Sequence, residues 1–431
     1  MQIHVPFDSG MLALDIDEKN FLGEISPRPV SPAAPPEALI RQALAAPLGS
    51  ATLRDVCART NPRSVAIVVT DVTRPAPDHL FLPPILEQLH QGGVGNGQIF
   101  IIVALGMHRP CTEQELRGKL GDAVYDAVEV FNSEPENPDT LACLGTTSFG
   151  CPMWVNRRVV EADLVISTGV IEPHLFAGYS GGRKSVAIGV AGEETIRFQH
   201  QPTVFDDPNT RIGGIQGNRF HENAMEIARA AGHDFIINAV FNAGGEIVNV
   251  VAGKPETALL EGIRYADSIY KIGIRKQADI VITGVTPPKH TNIYQATRGA
   301  SYVAFSPYPS VRPGGLIIIP ASTEEGAGKG TGEQRYHDIT RNAASLDDIL
   351  LDIRRNGVAA GGHRAYLMAL TLKHAQVVIV GSRTPDVVRE LYMTAMDTVE
   401  EAMEYGFRRF GRGACVYSIP HSLHVVTDKV S

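Results

Sequence analysis

Short runs of apolar, β-branched residues recur along this chain, separated by segments with apolar residues at helical spacing. In the first two thirds, the runs lie at 64–71, 98–106, 162–169, 234–242 and 245–253. Helical spacing occurs at 79–91 and 223–232. Such apolar runs predict buried strands. Their alternation with helices is typical of a parallel sheet.

A second series of the same kind follows, with strands predicted at 278–284, 314–322 and 375–382 and helices at 346–355 and 361–373. We therefore predict the α/β class with two domains, each a layered fold with a mainly parallel sheet, and an active site in the cleft between them. The N-terminal domain is predicted at 1–270 and the smaller C-terminal domain at 271–410, with 411–431 a candidate completion of the first. A proline-rich connector at 28–37 is expected to precede the regular structure.

Composition and charge limit the classes of molecule that we expect the protein to bind. The 431 residues are 44% hydrophobic and 20% charged, which is enough for two cores. A net charge of −8 without a basic cluster disfavours nucleic acid and membrane surfaces, so we expect a small-molecule partner. The five scattered cysteines and the absence of a secretory pattern at the start lead us to expect reduced thiols and a cytoplasmic location. Oligomeric state is not indicated.

Polar residues follow two predicted strands, at the carboxyl ends where open α/β sheets bind ligands. Asp71 and Arg74 lie on a proline-stiffened turn, and the arginine fork suits a carboxylate or phosphate. An internal ion pair between them is equally compatible. After the next strand, a capping box at 112–115 explains the start of a helix but does not account for His108.

The segment "EPHLFAGYSGGRKS" (172–185) combines a histidine, a glycine-rich turn and two adjacent cations. Bare backbone followed by a helix start near residue 185 favours an anion such as a phosphate. The spacing is not that of a Walker P-loop, which disfavours nucleotide hydrolysis. The candidate residues are His174, Gly178, Gly181, Gly182, Arg183, Lys184 and Ser185.

Two further groups are ambiguous by themselves. His200, near the end of a short helix at 192–202, suits either a metal ligand or a side chain that interacts with the helix dipole. Tyr294, Gln295 and Arg298 recur at a spacing that places them on one helical face, which is equally compatible with an ordinary polar surface helix.

The ordered set "DVTRP", "GMHRP", "EPHLFAGYSGGRKS", "FQHQP" and "IYQATRG" resembles the nickel-dependent lactate racemase family. The resemblance covers about residues 60 to 300. It implies a nickel-pincer nucleotide, pyridinium-3-thioamide-5-thiocarboxylic acid mononucleotide with Ni(II), attached covalently to Lys184. His200 would complete the nickel coordination, and Gly178, Gly181, Gly182, Arg183, Ser185 and Asp71 would hold or orient the cofactor.

The implied reaction is racemisation or epimerisation at C2 of a 2-hydroxy acid by proton-coupled hydride transfer. His108 and His174 match the two bases, and Arg74 matches the group that binds the substrate carboxylate. Tyr294, Gln295 and Arg298 would also contact substrate. An imidazole, with its pKa near neutrality, suits a group that alternates between acid and base.

Two departures from the family pattern predict a substrate other than lactate. Lactate-specific members of the family have a lysine at the position of Arg298 and a tryptophan-glutamine pair where this chain reads "AAGGHRAYLMA" (359–369). We expect Gly361 and Gly362 to leave space for a longer aliphatic, polyhydroxy or dicarboxylic acid. An ordinary helix start is the alternative, and His363 and Arg364 have no assigned role.

Two other functions remain open on the sequence. One is a catalytically silent protein of the same fold that binds an anion or nucleotide. The other is a cofactor-free lyase that uses the same histidines and would keep its activity without nickel.

Overall fold

The computed structural model of the chain describes residues 1–285 and 287–430. In this part, the first strands are β1 (Gln2–Phe7), β2 (Gly10–Asp15), β3 (Phe21–Glu24), β4 (Val65–Thr70), β5 (Ile99–Ala104), β6 (Glu129–Asn132), β7 (Leu141–Thr146), β8 (Pro152–Asn156), β9 (Leu164–Val170) and β10 (Pro173–His174). The remaining strands are β11 (Gly178–Tyr179), β12 (His233–Phe241), β13 (Ile247–Gly253), β14 (Lys271–Ile274), β15 (Ala278–Thr283), β16 (Val311–Pro320), β17 (Gln376–Val380), β18 (Thr394–Met396), β19 (Val416–Ile419) and β20 (Val426–Lys429).

Helices connect most of these strands. The first are α1 (Pro36–Ala45), α2 (Leu53–Thr60), α3 (Asp78–Gln91), α4 (Glu113–Leu120), α5 (Asp122–Ala127), α6 (Arg157–Val160), α7 (Glu193–Gln199), α8 (Pro202–Phe205) and α9 (Arg219–Ala230). They are followed by α10 (Pro255–Tyr270), α11 (Ile293–Ala296), α12 (Arg298–Phe305), α13 (Thr331–Arg341), α14 (Leu346–Asn356), α15 (His363–His374), α16 (Pro385–Glu390) and α17 (Val399–Phe410). No helix in the described residues is both long and apolar enough to cross a bilayer.

The chain forms two compact units. The first unit comprises residues 29–199 and 215–269, and the second comprises 1–28, 200–214 and the described part of 270–431. This division differs from the predicted one, which placed 1–28 and 200–214 in the N-terminal domain and 411–431 as its candidate completion. Strand pairing is the reason, because Gly23 of β3 pairs with Tyr417 of β19 in the second sheet.

The first unit contains a six-stranded sheet in the order β13-β12-β9-β4-β5-β6. All neighbours are parallel except β12 and β13, where Ile236 pairs with Gly253 in antiparallel orientation. Alternate residues of β4 enter different cores: Val65 and Ile67 belong to one buried cluster and Ala66 to another. The sheet is therefore covered on both faces, which explains why β4 reads as a continuous apolar run.

The second unit contains a six-stranded parallel sheet in the order β18-β17-β16-β15-β19-β3. The antiparallel β1-β2 hairpin contributes Ile3, Val5 and Leu14 to the same hydrophobic cluster as Ile280 and Leu316. The predicted α/β class with mainly parallel sheets is confirmed. The expectation that regular structure begins after residues 28–37 is wrong, because three strands precede them.

Candidate active site

The candidate residues of the first unit follow three adjacent strands. From β4 the chain adds β5 and β6 on one side and, later, β9 and β12 on the other, so the strand order reverses between β4 and β9. Open parallel sheets bind ligands at such a reversal, beyond the carboxyl ends of the strands. Asp71, His108 and the segment 172–184 begin at these carboxyl ends, which places them at one edge of the sheet.

Asp71 and His108 form a hydrogen-bonded pair. Asp71 is 3% exposed, and its Oδ2 contacts Nδ1 of His108 while its Oδ1 accepts from the hydroxyl of Thr73 at 2.7 Å. Burial opposes ionisation of Asp71, but the hydrogen bond and charge of His108 and the bond from Thr73 outweigh it and lower the pKa of Asp71. An ionised carboxylate only accepts, so Nδ1 of His108 donates and the lone pair of the neutral ring lies on Nε2.

The ion pair between Asp71 and Arg74, one of the two alternatives from the sequence, is absent from the described structure. Arg74 is half-buried, and its guanidinium forms no ion pair among the described residues. Arg109, next to His108, binds Glu115 through two nitrogens at 2.9 and 2.6 Å. Arg74 therefore retains its fork for a ligand, whereas Arg109 stabilises the start of α4.

His174 lies on the short strand β10, in the loop after β9. Its Nδ1 accepts from the backbone nitrogens of Phe176 and Ala177 at 3.3 and 3.2 Å, and its ring centroid lies 6.2 Å from that of Phe220. In the neutral ring the hydrogen then resides on Nε2. His108 and His174 thus present opposite tautomers, one with a basic Nε2 and the other with an N–H at that atom.

The backbone conformation and close packing of the turn at residues 178–182 explain its glycines. Gly178, Gly181 and Gly182 have φ of 72°, 78° and 51°, in the left-handed region that side chains rarely adopt. A Cβ at Gly181 would lie 2.8 Å from the oxygen of Val170, and the nitrogen of Gly182 donates to Oδ1 of Asn238 at 2.9 Å. The turn is therefore fixed against β9 and β12 before any ligand binds.

Arg183 and Lys184 differ in their surroundings. Arg183 is 0% exposed, and its guanidinium donates to the carbonyl oxygens of Ala177 at 2.7 Å and Gly181 at 3.2 Å. Burial lowers the pKa of Arg183 to about 9. Lys184 is half-buried, directly before a five-residue π-helical turn at Ser185–Gly189. Arg183 bonds to carbonyl oxygens of its own loop, and the helix start predicted near residue 185 is this short π-helical turn.

His200 belongs to the second unit and follows the last residue of α7. The helix predicted at 192–202 ends at Gln199, and Pro202 begins the next helix. The ring centroid of His200 lies 4.9 Å from that of His363 and 6.1 Å from that of Phe205. Burial, followed by the neighbouring His200 and Arg364, lowers the pKa of His363. His363 is the neighbour of His200 that the sequence did not assign.

The predicted substrate residues of the second unit lie on two short helices rather than on one face of a single helix. Thr297 separates α11 from α12, and Nη1 of Arg298 donates to Oε1 of Gln295 at 3.3 Å. The ring of Tyr294 lies 5.8 Å from that of Tyr336 in an edge arrangement. These helices follow β15, where the strand order of the second sheet reverses towards β19.

The expectation that Gly361 and Gly362 leave space is wrong. A Cβ at Gly361 would collide with the backbone of Gly332, and one at Gly362 would lie 2.6 Å from the side chain of Val358. These glycines permit close packing of α13 and α15. The segment after them is a helix directed into the core, as the alternative held, yet it buries Arg364 at 3% exposure.

The described residues offer the implied cofactor one nickel ligand and one amine for its attachment. No group of three or more metal-binding side chains occurs in the described residues. A cofactor that supplies three nickel ligands itself needs only one from the protein, and His200 has the required imidazole. Lys184 offers an amine beside a rigid turn with bare backbone. The candidate residues divide between the units, with Lys184 in the first and His200 in the second.

Comparison with known proteins matches nearly the full length of the chain to one family. Residues 7–213 match the family model described as lactate racemase N-terminal domain, and residues 274–427 match the lactate racemase C-terminal domain. A lactate racemase from Lactiplantibacillus plantarum is 30% identical over 437 residues, covering 98% of this chain and 99% of that protein. The chain belongs to the lactate racemase family.

Further similar proteins support the membership of this chain in the lactate racemase family. A lactate racemase from Thermoanaerobacterium thermosaccharolyticum is 28% identical over 428 residues, with 98% of each chain covered. The solved apoprotein from that organism superposes with a TM-score of 0.91 over 100% of both chains. A Thermotoga maritima protein at 19% identity and a TM-score of 0.65 shares the fold, covering 88% of this chain and 97% of its own. As a family member, the chain is a racemase, an enzyme of the isomerase class.

Proposed function

We propose that the chain racemises or epimerises C2 of a 2-hydroxy acid, with a nickel-pincer nucleotide attached to Lys184. The observation that carries the proposal is the pair of Asp71 and His108. It holds a basic Nε2 at the strand-order reversal of the first sheet, where the loop of Lys184 also begins. A racemase of a hydroxy acid requires such a base to take the hydroxyl proton.

The other residues of the first unit have separate roles in this proposal. Arg74 binds the carboxylate next to C2 through its fork. His174 presents its Nε2 hydrogen from the adjoining loop and serves the other stereoisomer. Arg183 acts through the loop, because it holds the carbonyls of residues 177 and 181 while the next residue tethers the cofactor.

The cofactor, when bound, supplies an acceptor for the C2 hydrogen and its electron pair and a source from which both return to either face. His200 would give an imidazole nitrogen to its nickel. The side chains of the protein move only the hydroxyl proton. Proton transfer therefore belongs to the protein, and the chemistry at C2 belongs to the cofactor.

The decisive experiment uses protein produced together with the cofactor pathway. Intact mass spectrometry should show an adduct that is absent from Lys184→Arg, and chiral chromatography should show inversion of at least one 2-hydroxy acid. In D2O the inverted product should retain its C2 hydrogen, because that hydrogen never exchanges as a proton.

Other results would contradict this proposal and identify its alternatives. Deuterium at C2 would indicate proton abstraction from carbon. Activity that survives removal of nickel would favour a cofactor-free lyase. A loaded protein that inverts none of the acids would be a binding protein of this fold.

A further inference from the structure

Lys119 is a buried lysine whose amine faces three oxygen atoms. It lies in the last turn of α4, and its side chain is 7% exposed. Its Nζ lies 2.8 Å from Oδ2 of Asp78 and 3.5 Å from the carbonyl oxygens of both Arg74 and Ala76. An ammonium group has three hydrogens and accepts no hydrogen bond, so one lysine can serve these three acceptors at once. All four residues belong to the first unit.

The carboxylate of Asp78 is itself fixed to the first sheet. Asp78 is 0% exposed, and its Oδ1 accepts from the hydroxyl of Thr168 in β9, a residue that is also 0% exposed. β9 lies between β12 and β4 in the sheet, so its backbone is held on both sides. A chain of polar contacts therefore runs from the sheet through Asp78 and Lys119 to the loop after β4.

The loop after β4 has few backbone donors with which to anchor itself. Prolines occupy positions 75 and 77, and a proline nitrogen carries no hydrogen. The carbonyl oxygens of the two residues that precede these prolines remain as acceptors, and Lys119 contacts both of them. The proline rings also fix φ at both positions, so a lysine that holds these carbonyls holds most of the loop.

Stability alone is a weak reason to bury this ion pair. Removing a lysine and an aspartate from water is costly, and apolar side chains of similar size often give an equally stable fold. Apolar side chains, however, cannot donate hydrogen bonds to a loop. The loop that Lys119 contacts carries Arg74, whose planar fork needs a defined orientation to bind a carboxylate through two bonds. The orientation of this loop therefore explains the pair better than stability does.

We infer that Lys119 and Asp78 are positioning residues for Arg74. Asp78 holds the amine of Lys119, and this amine holds the backbone of the loop, so the guanidinium of Arg74 is presented to its ligand in one orientation. The inference rests on the proposed function, in which Arg74 binds the carboxylate next to C2. Neither Lys119 nor Asp78 touches substrate or cofactor in it. Because the carboxylate is bound alike before and during the reaction, loss of the pair should affect KM more than kcat.

The test replaces the three buried polar side chains together in the full-length enzyme loaded with cofactor. The triple variant Asp78→Val, Lys119→Met and Thr168→Val leaves none of their charges or donors buried, so chemical denaturation should show a folded protein. KM for the acid that wild type inverts should rise about tenfold or more, with a smaller change in kcat per loaded molecule. Hydrogen exchange should speed up in residues 73–76 and stay the same in β12. Arg41→Gln with Glu87→Gln, which removes an exposed ion pair that also involves α3, should change none of these.

Wild-type exchange rates in residues 73–76 of the triple variant would overturn the inference, because the loop would then be held without Lys119. Faster exchange with an unchanged KM would overturn it as well, whether or not kcat falls, since carboxylate binding would then not depend on the loop. If the triple variant does not fold, Thr168→Val alone decides by the same measurements, because it removes one hydroxyl and keeps the branched shape. A wild type that inverts no acid would reject the racemase, and the exchange measurement alone would then decide whether the pair holds the loop.

Discussion

The carboxylate of Asp71 acts on His108 in two ways that the proposed proton transfer requires. It orients the ring from a buried position, and it fixes the tautomer in which Nε2 is basic. Sequence patterns placed both residues at strand ends, but they lie 37 positions apart and their hydrogen bond depends on the pairing of β4 with β5. The residues could be predicted from the sequence and their contact could not.

Replacing Asp71 with asparagine should reduce kcat of the loaded enzyme by about 10²–10⁴-fold. The amide can donate to Nδ1 and so stabilises the tautomer with hydrogen on Nε2, which is the wrong one for a base. Chiral chromatography measures the rate, and nitrogen chemical shifts of the imidazole report the tautomer. Asp386→Asn, which alters an exposed carboxylate, is the control. A rate unchanged by Asp71→Asn would show that this pair is not the base.

The lowered pKa of Asp71 also makes a prediction for stability. The native state holds its proton less tightly than the unfolded state, so the stabilisation is complete above about pH 4, the ordinary range of aspartate, and is lost as pH falls through the lowered native value. The difference in unfolding free energy between wild type and Asp71→Asn should therefore shrink below about pH 4. Urea denaturation across this range checks it, and a constant difference would contradict the assignment.

Arg183→Met should loosen the glycine turn. The variant leaves the carbonyl of residue 177 without its donor, which costs about 1–3 kcal/mol for a buried group left unsatisfied. The carbonyl of residue 181 loses one of its two donors and keeps the backbone nitrogen of Lys184 at 3.3 Å. Hydrogen exchange should speed up in residues 177–185, and the Lys184 adduct should form to a smaller extent. Arg63→Met, at an arginine whose side chain is 90% exposed, should leave both unchanged. Unaltered exchange in the turn would show that Arg183 does not hold it.

At the scale of elements, a buried ion pair joins α3 to α4. Asp78, the first residue of α3, lies 2.8 Å from Nζ of Lys119, and the two side chains are 0% and 7% exposed. Lys119→Met should lower the free energy of unfolding by about 3–5 kcal/mol, because the carboxylate stays buried without its cation. Chemical denaturation measures this.

A matched comparison isolates that effect. Lys19→Met, at a lysine whose side chain is 70% exposed, should cost no more than about 1 kcal/mol. Changing Asp78→Asn in the Lys119→Met background should restore part of the loss, since the neutral amide is less costly to bury. Equal losses in Lys119→Met and Lys19→Met would contradict the importance of the buried pair.

The elements that sequence periodicity predicted share a property. Each of the eight predicted strands corresponds to β4, β5, β9, β12, β13, β15, β16 or β17, and all are mainly buried. Of the strands that were missed, β2 and β3 are short and largely exposed or half-buried, so their side chains carry little apolar pattern. β19 is buried throughout but has only four residues, which is too short a run to stand out. The antiparallel pairing of β13 could not be predicted either, because hydrophobic periodicity indicates a strand but not its direction.

At the scale of the whole molecule, the N-terminal hairpin completes the second unit. Val5 is 0% exposed and shares a cluster with Ile280, so Val5→Asp should destabilise the second unit by several kcal/mol through a buried, unpaired carboxylate. Hydrogen exchange should rise in β15 and β19 and not in β4. Met11→Asp, at a residue 57% exposed on the same hairpin, is the control. Increased exchange in β4 alone would place the hairpin with the first unit.

The pairing of Gly23 with Tyr417 has a consequence for synthesis on the ribosome. β3 leaves the exit tunnel well before its neighbour, which is made almost 400 residues later, about 20–80 s at ordinary elongation rates. During that interval the nascent hairpin and β3 have apolar side chains without their final contacts. Chaperones that hold the emerging hairpin and β3 should therefore raise the yield of active protein more than those that act after release.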